Sequence, residues 1–255
     1  MEMLTPPPAQ AADYHRVLLM EELYQRYGRG TRGFSGLARQ LRFWRKKYAW
    51  ALVVGGAKLV KRALDIAAAI ALLVLLSPLF LAVALAIKLT DGGPILFWQK
   101  RVGRWGREFP FPKFRSMVTN AEKLKDALLA QNDHKDGVTF KMKKDPRVTW
   151  IGRIIRKLSI DELPQLWCVL KGDMSLVGPR PPVPREVAQY TLADRRRLDV
   201  TPGLTCIWQV SGRGNIPFPR QVELDVQYIE SQSVWLDFML LLKTIPAVFT
   251  GRGAY

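Results

Sequence analysis

The chain has 255 residues, and its 39 lysines and arginines against 22 acidic residues give a net charge of +17. This length suffices for one domain with a hydrophobic core, and the charge predicts an anionic partner, either nucleic acid, anionic lipid or a polyphosphate substrate. The two cysteines form no disulfide framework or zinc motif, and the two histidines lie far along the chain from the acidic pair described below, which argues against a Ser-His-Asp hydrolase.

Residues 1–57 are predicted to form a basic N-terminal extension. Residues 1–13 have the composition of a flexible tail, and residues 14–27 carry an apolar stripe at helical spacing. Residues 37–62 combine arginines and lysines with aromatic residues, which favours an interfacial helix on anionic headgroups. The alternative for this segment is a solvated basic helix. The first residues show no basic start followed by an apolar run, so no cleavable signal peptide is expected.

An uncharged apolar segment follows, from residue 66 to residue 87. Its length approaches the ~20 residues that a helix needs to cross a bilayer. Ser77-Pro78 lies at its midpoint, and because proline removes an N–H and clashes with the preceding turn, we predict a sharp kink there. Both flanks are basic, and the positive-inside rule assigns both to the cytoplasm. We therefore predict a membrane-embedded re-entrant helix–break–helix over residues 58–89, in preference to a kinked full span.

Residues 90–255 are predicted to form a small mixed catalytic domain, giving an irregular α/β fold with interfacial amphipathic helices. Turn residues, short extended segments and helical patterns alternate along this part of the chain. The predicted elements are short strands within 90–118, a helix over 119–135, an extended segment over 138–150 with a turn at Asp145-Pro146, a short helix over 161–171, a loop-built surface over 172–215 and two helices within 220–250, the second from Val234 to Phe249.

Two adjacent carboxylates, Asp161 and Glu162, lie in a segment rich in arginine that includes Arg156 and, further on, Arg180. This combination suits phosphate chemistry, because one acid can attack phosphorus or hold a metal while the cations neutralise phosphate. A purely structural interpretation competes with it. Ser159-Ile160-Asp161-Glu162 has the form of a capping box, in which Glu162 reaches back to the N–H of Ser159.

Other charged residues are weaker candidates when each is taken alone. Lys113 and Arg115 alternate with Phe114, so in an extended chain both would point the same way and could hold a diphosphate. Arg213 lies in a glycine-rich turn that lets the backbone approach a ligand. Asp225 and Asp237 lie on the last two predicted helices, where surface or ion-paired acids are common.

Residues 58–255 resemble the bacterial sugar transferases, the monotopic polyprenol-phosphate phosphoglycosyl transferases. The shared motifs occur in order along the chain: KRALDI (61–66), the Ser77-Pro78 break, TDGGPILFWQKRVGRWG (90–106), KFRSM (113–117), KKDPRVTWIGRIIRKLSIDELPQLWCVLKGDMSLVGPRPP (143–182), PGLTCIWQVSGRG (202–214), LDVQYIE (224–230), WLDFMLLLKTIPAV (235–248) and GRGAY (251–255). One departure is visible, since Cys206 stands where many members have glycine. Residues 1–57 resemble nothing that we can name.

The resemblance implies transfer of a sugar 1-phosphate from a UDP-sugar to undecaprenyl phosphate, with release of UMP, at the cytoplasmic face of the bacterial inner membrane. It implies that Asp161 is the nucleophile and forms a covalent phosphosugar intermediate, that Glu162 completes the dyad, and that Mg²⁺ binds with both. It also implies that Ser77-Pro78 is the break of the re-entrant anchor. The predicted phosphate- and substrate-binding set comprises Lys113, Arg115, Arg156, Arg180, Arg213, Asp225 and Asp237.

Two other functions are kept as alternatives. A non-enzymatic basic membrane adaptor would bind anionic lipid or nucleic acid and would not need Asp161, but it leaves the ordered motifs unexplained. A glycosyl transferase that moves the sugar without its phosphate would release UDP in place of UMP. Within the preferred interpretation we expect a lipid bilayer as a partner and no nucleic acid. A homodimer, and the choice between glucose, galactose and N-acetylated sugars, stay open.

Overall fold

The computed structural model describes residues 34–121, 123–124 and 145–250. The predicted tail over 1–13, the stripe over 14–27 and most of the predicted helix over 119–135 lie outside the described residues. Two compact units divide between Lys61 and Arg62. The site described below lies entirely in the second unit.

A long helix and a shorter one meet at a sharp bend. Helix α1 spans Phe34–Leu75 and helix α2 spans Ser77–Asp91. The bend between the two measures 58°. The predicted kink is therefore confirmed, and Pro78 lies in the first turn of α2, where its missing N–H costs least. The Ser77 hydroxyl donates a hydrogen bond of 2.8 Å to the Val74 carbonyl, which satisfies an acceptor at the break.

Within the described part of the chain, no single helix is both long and apolar enough to cross a bilayer. The bent pair Gly55–Leu75 and Ser77–Asp91 meets the requirement only when its two arms are taken together.

An antiparallel hairpin follows the bent pair, which confirms the short strands predicted within 90–118 and adds their pairing. Strand β1 spans Leu96–Val102 and strand β2 spans Glu108–Phe114, paired from Leu96 opposite Phe114 to Val102 opposite Glu108. Phe109 and Phe111 are buried on one face of β2 and pack into the core.

The remaining elements are mostly short, in keeping with the predicted irregular fold. Helix α3 spans Trp150–Lys157, a 3₁₀ helix spans Ile160–Gln165, and α4 spans Leu166–Lys171. Strand β3, helix α5, strand β4 and helix α6 follow at Ser175–Val177, Pro184–Val187, Gly203–Thr205 and Ile207–Ser211. Helices α7 and α8 span Phe218–Ser231 and Val234–Thr250, which confirms the two predicted C-terminal helices.

The loop predicted over residues 172–215 contains a small parallel sheet that the sequence pattern did not show. β3 pairs with β4 from Ser175 opposite Gly203 to Val177 opposite Thr205. The backbones of the two strands approach closely at Gly178 and Gly203, because a Cβ on Gly203 would lie 2.0 Å from the Gly178 nitrogen. The structure is therefore a mixed, helix-rich fold with two small sheets among its described residues.

One hydrophobic core joins the end of α1 to the hairpin and to the C-terminal helices. Its buried members include Ala69, Phe111, Leu166, Tyr228 and Leu240. Two polar side chains of α1 reinforce this attachment. Arg62 donates to the carbonyls of Val169 and Leu170 at the end of α4, at 2.5 and 2.7 Å, and Asp65 accepts from the Leu176 N–H at 3.1 Å. Cations at a helix C-terminus are favoured by the dipole, so these contacts fix α1 to the elements that carry the site.

Replacing Gly203 with alanine tests the close approach of β3 and β4. The new methyl group would overlap backbone atoms of Val177 and Gly178, so Gly203→Ala should lower the free energy of unfolding by about 2–4 kcal/mol or prevent folding. Gly56→Ala is the matched control, because nothing lies within 4 Å of its added Cβ. Alanine in a helix should change stability by about 1 kcal/mol at most, in the stabilising direction. Equal unfolding midpoints for the two variants would contradict the proposed packing.

Candidate active site

The acidic pair lies on the 3₁₀ helix directly after α3. Ser159 reverses the chain there with φ 55° and ψ 22°, and its side chain forms no capping hydrogen bond. The left-handed region is costly for a residue with a Cβ, so tertiary contacts must hold this turn. The alternative interpretation of this segment as a capping box is therefore wrong, because the Glu162 side chain turns away from the helix start and binds two cations.

Glu162 joins three separate parts of the chain through partly buried ion pairs. Its Oε1 lies 3.2 Å from the Lys113 Nζ on β2. Arg180, on the loop after β3, donates from Nη1 to Oε2 at 3.1 Å and from Nη2 to Oε1. Burial alone would raise the pKa of Glu162, but the charges of Arg180 and Lys113 outweigh it and hold the pKa well below its usual range. Glu162 is thus a fixed anion at every physiological pH.

Asp161 has the opposite environment although it is the next residue. Its side chain is 8% exposed, and none of the described residues donates a hydrogen bond to its carboxylate. Burial raises the pKa of Asp161 to about 6, and the charge of Glu162 adds to the rise. Lys113, Arg156 and Arg180 oppose it. A poorly solvated carboxylate with a raised pKa is a stronger nucleophile and a stronger ligand than an exposed one.

Two further arginines face the same pocket. Arg156 lies in the last turn of α3, and Arg213 lies between Gly212 and Gly214 with φ 50°. Both line the pocket together with the acidic pair. Burial lowers the pKa of Arg213, while the nearby charge of Glu162 acts in the opposite direction. The glycine-rich turn predicted around Arg213 therefore brings this residue to the site.

The pocket has a volume of about 1080 Å³ and two chemically different ends. One end holds the acids and the cations. The other is lined by apolar residues from the end of α1, the break and the end of α8: Ala68, Ala71, Leu72, Leu76, Leu241, Ile245, Val248 and Phe249. Such a cavity suits a ligand with a charged group attached to a hydrocarbon chain.

Three of the predicted site residues do not line this pocket. Arg115 pairs with Asp91 and donates from Nε to the Pro94 carbonyl at 2.6 Å, so it ties β2 to the end of α2. The predicted common direction of Lys113 and Arg115 is wrong, because the strand ends at Phe114 and the chain turns away.

The other two are buried acids that bind neighbouring side chains. Asp225 on α7 is fully buried, and its Oδ2 accepts from the Arg197 guanidinium at 2.7 Å. Burial raises the pKa of Asp225 to about 6 although Arg197 lowers it. Asp237 on α8 is also buried, with its Oδ1 2.7 Å from the Tyr228 hydroxyl. These contacts favour positioning or structural roles for both acids. Arg197 itself lines the pocket.

Sequence reasoning treated one pocket residue, Arg101, only as part of a basic flank. The signal that could have found it is the alternation along β1, because Lys100 is exposed whereas Arg101 turns inward and lines the pocket.

The predicted binding of a magnesium ion can be compared with the side-chain oxygens that the site offers. Among residues 34–121, 123–124 and 145–250, no three metal-binding side chains form a cluster. Mg²⁺ commonly needs only one or two carboxylates when substrate phosphates supply further oxygens. The Asp161 carboxylate, which no described residue engages, fits that role. Both Glu162 oxygens already accept hydrogen bonds from Lys113 and Arg180. Glu162 could therefore bind the ion only with oxygens that these cations also use.

Comparison of the sequence with those of known proteins shows the family of the chain. Residues 56–251 match the profile described as bacterial sugar transferase. This chain belongs to that family. It is 50% identical over 197 residues to the galactosyl transferase CpsE of Streptococcus agalactiae, covering 77% of this chain and 43% of that protein.

Two further bacterial sugar transferases match at similar levels. The undecaprenyl-phosphate galactose phosphotransferase of Salmonella typhimurium is 45% identical over 205 residues, covering 78% of this chain and 42% of its own length. The exopolysaccharide production protein ExoY of Rhizobium meliloti is 40% identical over 205 residues, covering 79% and 90%. The chain thus spans about two fifths of the longer bacterial sugar transferases and nine tenths of the shorter one.

Glu162→Gln tests whether the partly buried ion pairs hold the site together. The substitution leaves Lys113 and Arg180 without their carboxylate. An uncompensated charge costs about 3–5 kcal/mol when fully buried, and the cost is lower here because the side chains are 18–22% exposed. Glu223→Gln is the control, because the Glu223–Arg220 pair is about 60% exposed on both sides and should contribute less than about 1 kcal/mol. Denaturant unfolding of both variants measures the difference, and equal losses of stability would contradict this account of the site.

Proposed function

We propose that the protein transfers a sugar 1-phosphate from a UDP-sugar to undecaprenyl phosphate and releases UMP. The observation that carries this proposal is the Asp161 carboxylate, which is buried, unengaged by the described residues and faces a pocket lined by Lys113, Arg156, Arg180 and Arg213. The named activities of relatives support it. They include an undecaprenyl-phosphate glucose phosphotransferase of Komagataeibacter xylinus and an N-acetylgalactosaminephosphotransferase of Aeromonas hydrophila that uses the same lipid.

The reaction proceeds in two displacements at one phosphorus atom. In the first, an Asp161 carboxylate oxygen bonds to the phosphorus that carries the sugar, and the bond from that phosphorus to the bridging oxygen breaks. The electron pair leaves with UMP. In the second, an oxygen of the lipid phosphate attacks the same phosphorus and the carboxylate leaves. No proton has to move, and one difficult transfer is divided into two easier steps.

The cations are already arranged for this charge distribution. Glu162 holds Lys113 and Arg180 in fixed positions, so little reorganisation is needed as charge develops on the phosphate oxygens. Four acids and seven cations line the pocket, and this excess of positive charge suits a diphosphate. Mg²⁺, when bound by Asp161 and the substrate phosphates, would neutralise further phosphate charge.

The apolar end of the pocket supports a lipid acceptor. Its walls come from the end of α1, from Leu76 at the break and from α8, so a polyprenyl chain could lie along them while its phosphate reaches Asp161. Large apolar side chains are exposed on these two helices and on α2, including Val74 and Leu75 on α1, Leu81 and Leu85 on α2, and Trp235 and Phe249 on α8. Such surface is costly in water, and tryptophan favours the membrane interface.

We therefore propose that the bent pair enters the inner membrane from the cytoplasmic face and returns to it, and that α8 lies at headgroup depth. A non-enzymatic adaptor would not need a buried acid between fixed cations, so the site favours the enzyme. The named substrates of the relatives differ in their sugar, and the choice of sugar stays open here. A homodimer and the absence of nucleic-acid binding stay predictions.

Asp161→Asn should abolish release of UMP from the UDP-sugar. The amide is nearly isosteric but is a poor nucleophile, and loss of a nucleophile typically costs at least about 10³-fold in rate. Asp199→Asn, at an exposed aspartate outside the pocket, should leave turnover unchanged. Nucleotide products are measured with a panel of UDP-sugars and undecaprenyl phosphate. Retained UMP release by Asp161→Asn would refute the mechanism, and UDP as the product would indicate direct sugar transfer.

The pH dependence of the first displacement should follow the Asp161 carboxylate. Because burial raises its pKa to about 6, the nucleophile is protonated below that pH and ionised above it. The single-turnover rate of UMP release should fall about tenfold per pH unit below pH 6 and level off above pH 7. A rate that is independent of pH between 5 and 8 would contradict this assignment.

A further inference from the structure

We infer that Arg101 binds the phosphate of the nucleotide that leaves, so that it forms a second anion subsite next to the acidic pair. This inference rests on the proposed function, because it assigns a part of the same pocket to the UMP portion of the donor.

The position of Arg101 is fixed by the hairpin. In the β1–β2 register Arg101 pairs with Phe109, and Phe97 pairs with Lys113, so Arg101 and Lys113 lie on one face of the sheet. The Phe111 ring lies between them, with the Arg101 Cζ 5.1 Å and the Lys113 Nζ 5.4 Å from its centroid. Both cations therefore share one buried aromatic surface and face one pocket.

Arg101 forms no ion pair with an acid among the described residues. Its Nη1 donates to the Pro181 carbonyl at 3.0 Å, and its Nε is buried without a hydrogen-bond partner. Such a donor is costly to leave unpaired. Burial lowers the pKa of Arg101 to about 10, with the charge of Arg180 adding to the effect, so the guanidinium still carries its charge at neutral pH. Because this side chain lines the pocket, an anionic ligand there would compensate its charge.

The contacts of Arg101 indicate which phosphate it meets. Arg101 binds the carbonyl of Pro181, which directly follows Arg180, and Arg180 pairs with Glu162. Arg156 lies at the end of α3, before the turn that leads to Asp161. Arg101 is therefore assigned to the side of the site that Glu162 and Arg180 define. When the bridging P–O bond breaks, the electron pair moves to the phosphate of UMP, and a cation on that side is placed to receive it.

A purely structural role is the main alternative, because Arg101 also holds the loop that carries Arg180. The Val102 N–H donates to the Pro182 carbonyl at 2.9 Å, next to the bond from Arg101 to Pro181. A loop-holding role would change the binding of every ligand in the pocket equally. A phosphate-binding role would change only ligands that carry the phosphate.

The experiment measures the dissociation constants of UMP and of uridine by equilibrium dialysis with the full chain in detergent. The wild-type protein should bind UMP more tightly than uridine. Arg101→Gln should reduce this preference about tenfold or more, as expected for loss of a charge-assisted hydrogen bond. Arg101→Lys, which retains the charge, should recover a large part of it and guards against misfolding of the glutamine variant. Arg196→Gln, at an exposed ion pair outside the pocket, should leave the preference unchanged.

Three results would overturn the inference. An unchanged preference for UMP in both Arg101 variants would show that Arg101 does not contact the phosphate. Equal weakening of UMP and uridine would assign it to holding the loop. If the wild-type protein binds UMP no better than uridine, the nucleotide donor itself is wrong and the proposed function fails together with the subsite.

Discussion

The partly buried ion pairs of Glu162 with Lys113 and Arg180 are the constraint on which the site depends. They join the hairpin, the 3₁₀ helix and the loop after β3 at one point. They also give the two adjacent carboxylates, Asp161 and Glu162, different environments. Glu162 is neutralised and fixed, so it cannot act as a nucleophile, whereas Asp161 stays poorly solvated and unpaired among the described residues. Two acids with opposite environments are the usual way in which a site assigns them different roles.

Local rules were sufficient to predict several elements. The clash of a proline ring with the preceding turn predicts the bend at Ser77-Pro78, and turn residues predict short strands within 90–118, although not their pairing as a hairpin. The site itself depended on the family resemblance, because the partners of Glu162 lie 49 residues before it and 18 residues after it. No local pattern specifies such distant contacts.

The errors have physical reasons of the same kind. Ser159 to Glu162 matches a capping box, but the two ion pairs of Glu162 outweigh one backbone hydrogen bond. The parallel pairing of β3 and β4 joins segments far apart in sequence and depends on close contact at Gly178 and Gly203. Arg115 comes after the last residue of β2, so the alternation along the strand does not set the direction of its side chain. Its ion pair with Asp91 sets that direction instead. In each case tertiary contacts override a local preference.

The charged and apolar ends of the pocket support the proposed transfer of a sugar phosphate to a lipid. The central claim of this proposal is that Asp161 bonds to phosphorus during the transfer. The most direct measurement uses a UDP-sugar labelled in the sugar phosphate, incubated with the protein without acceptor, quenched and digested. The account predicts one labelled peptide, the one that contains Asp161, and loss of the label when undecaprenyl phosphate is added. Efficient UMP formation with acceptor present, but no label on that peptide, would contradict it.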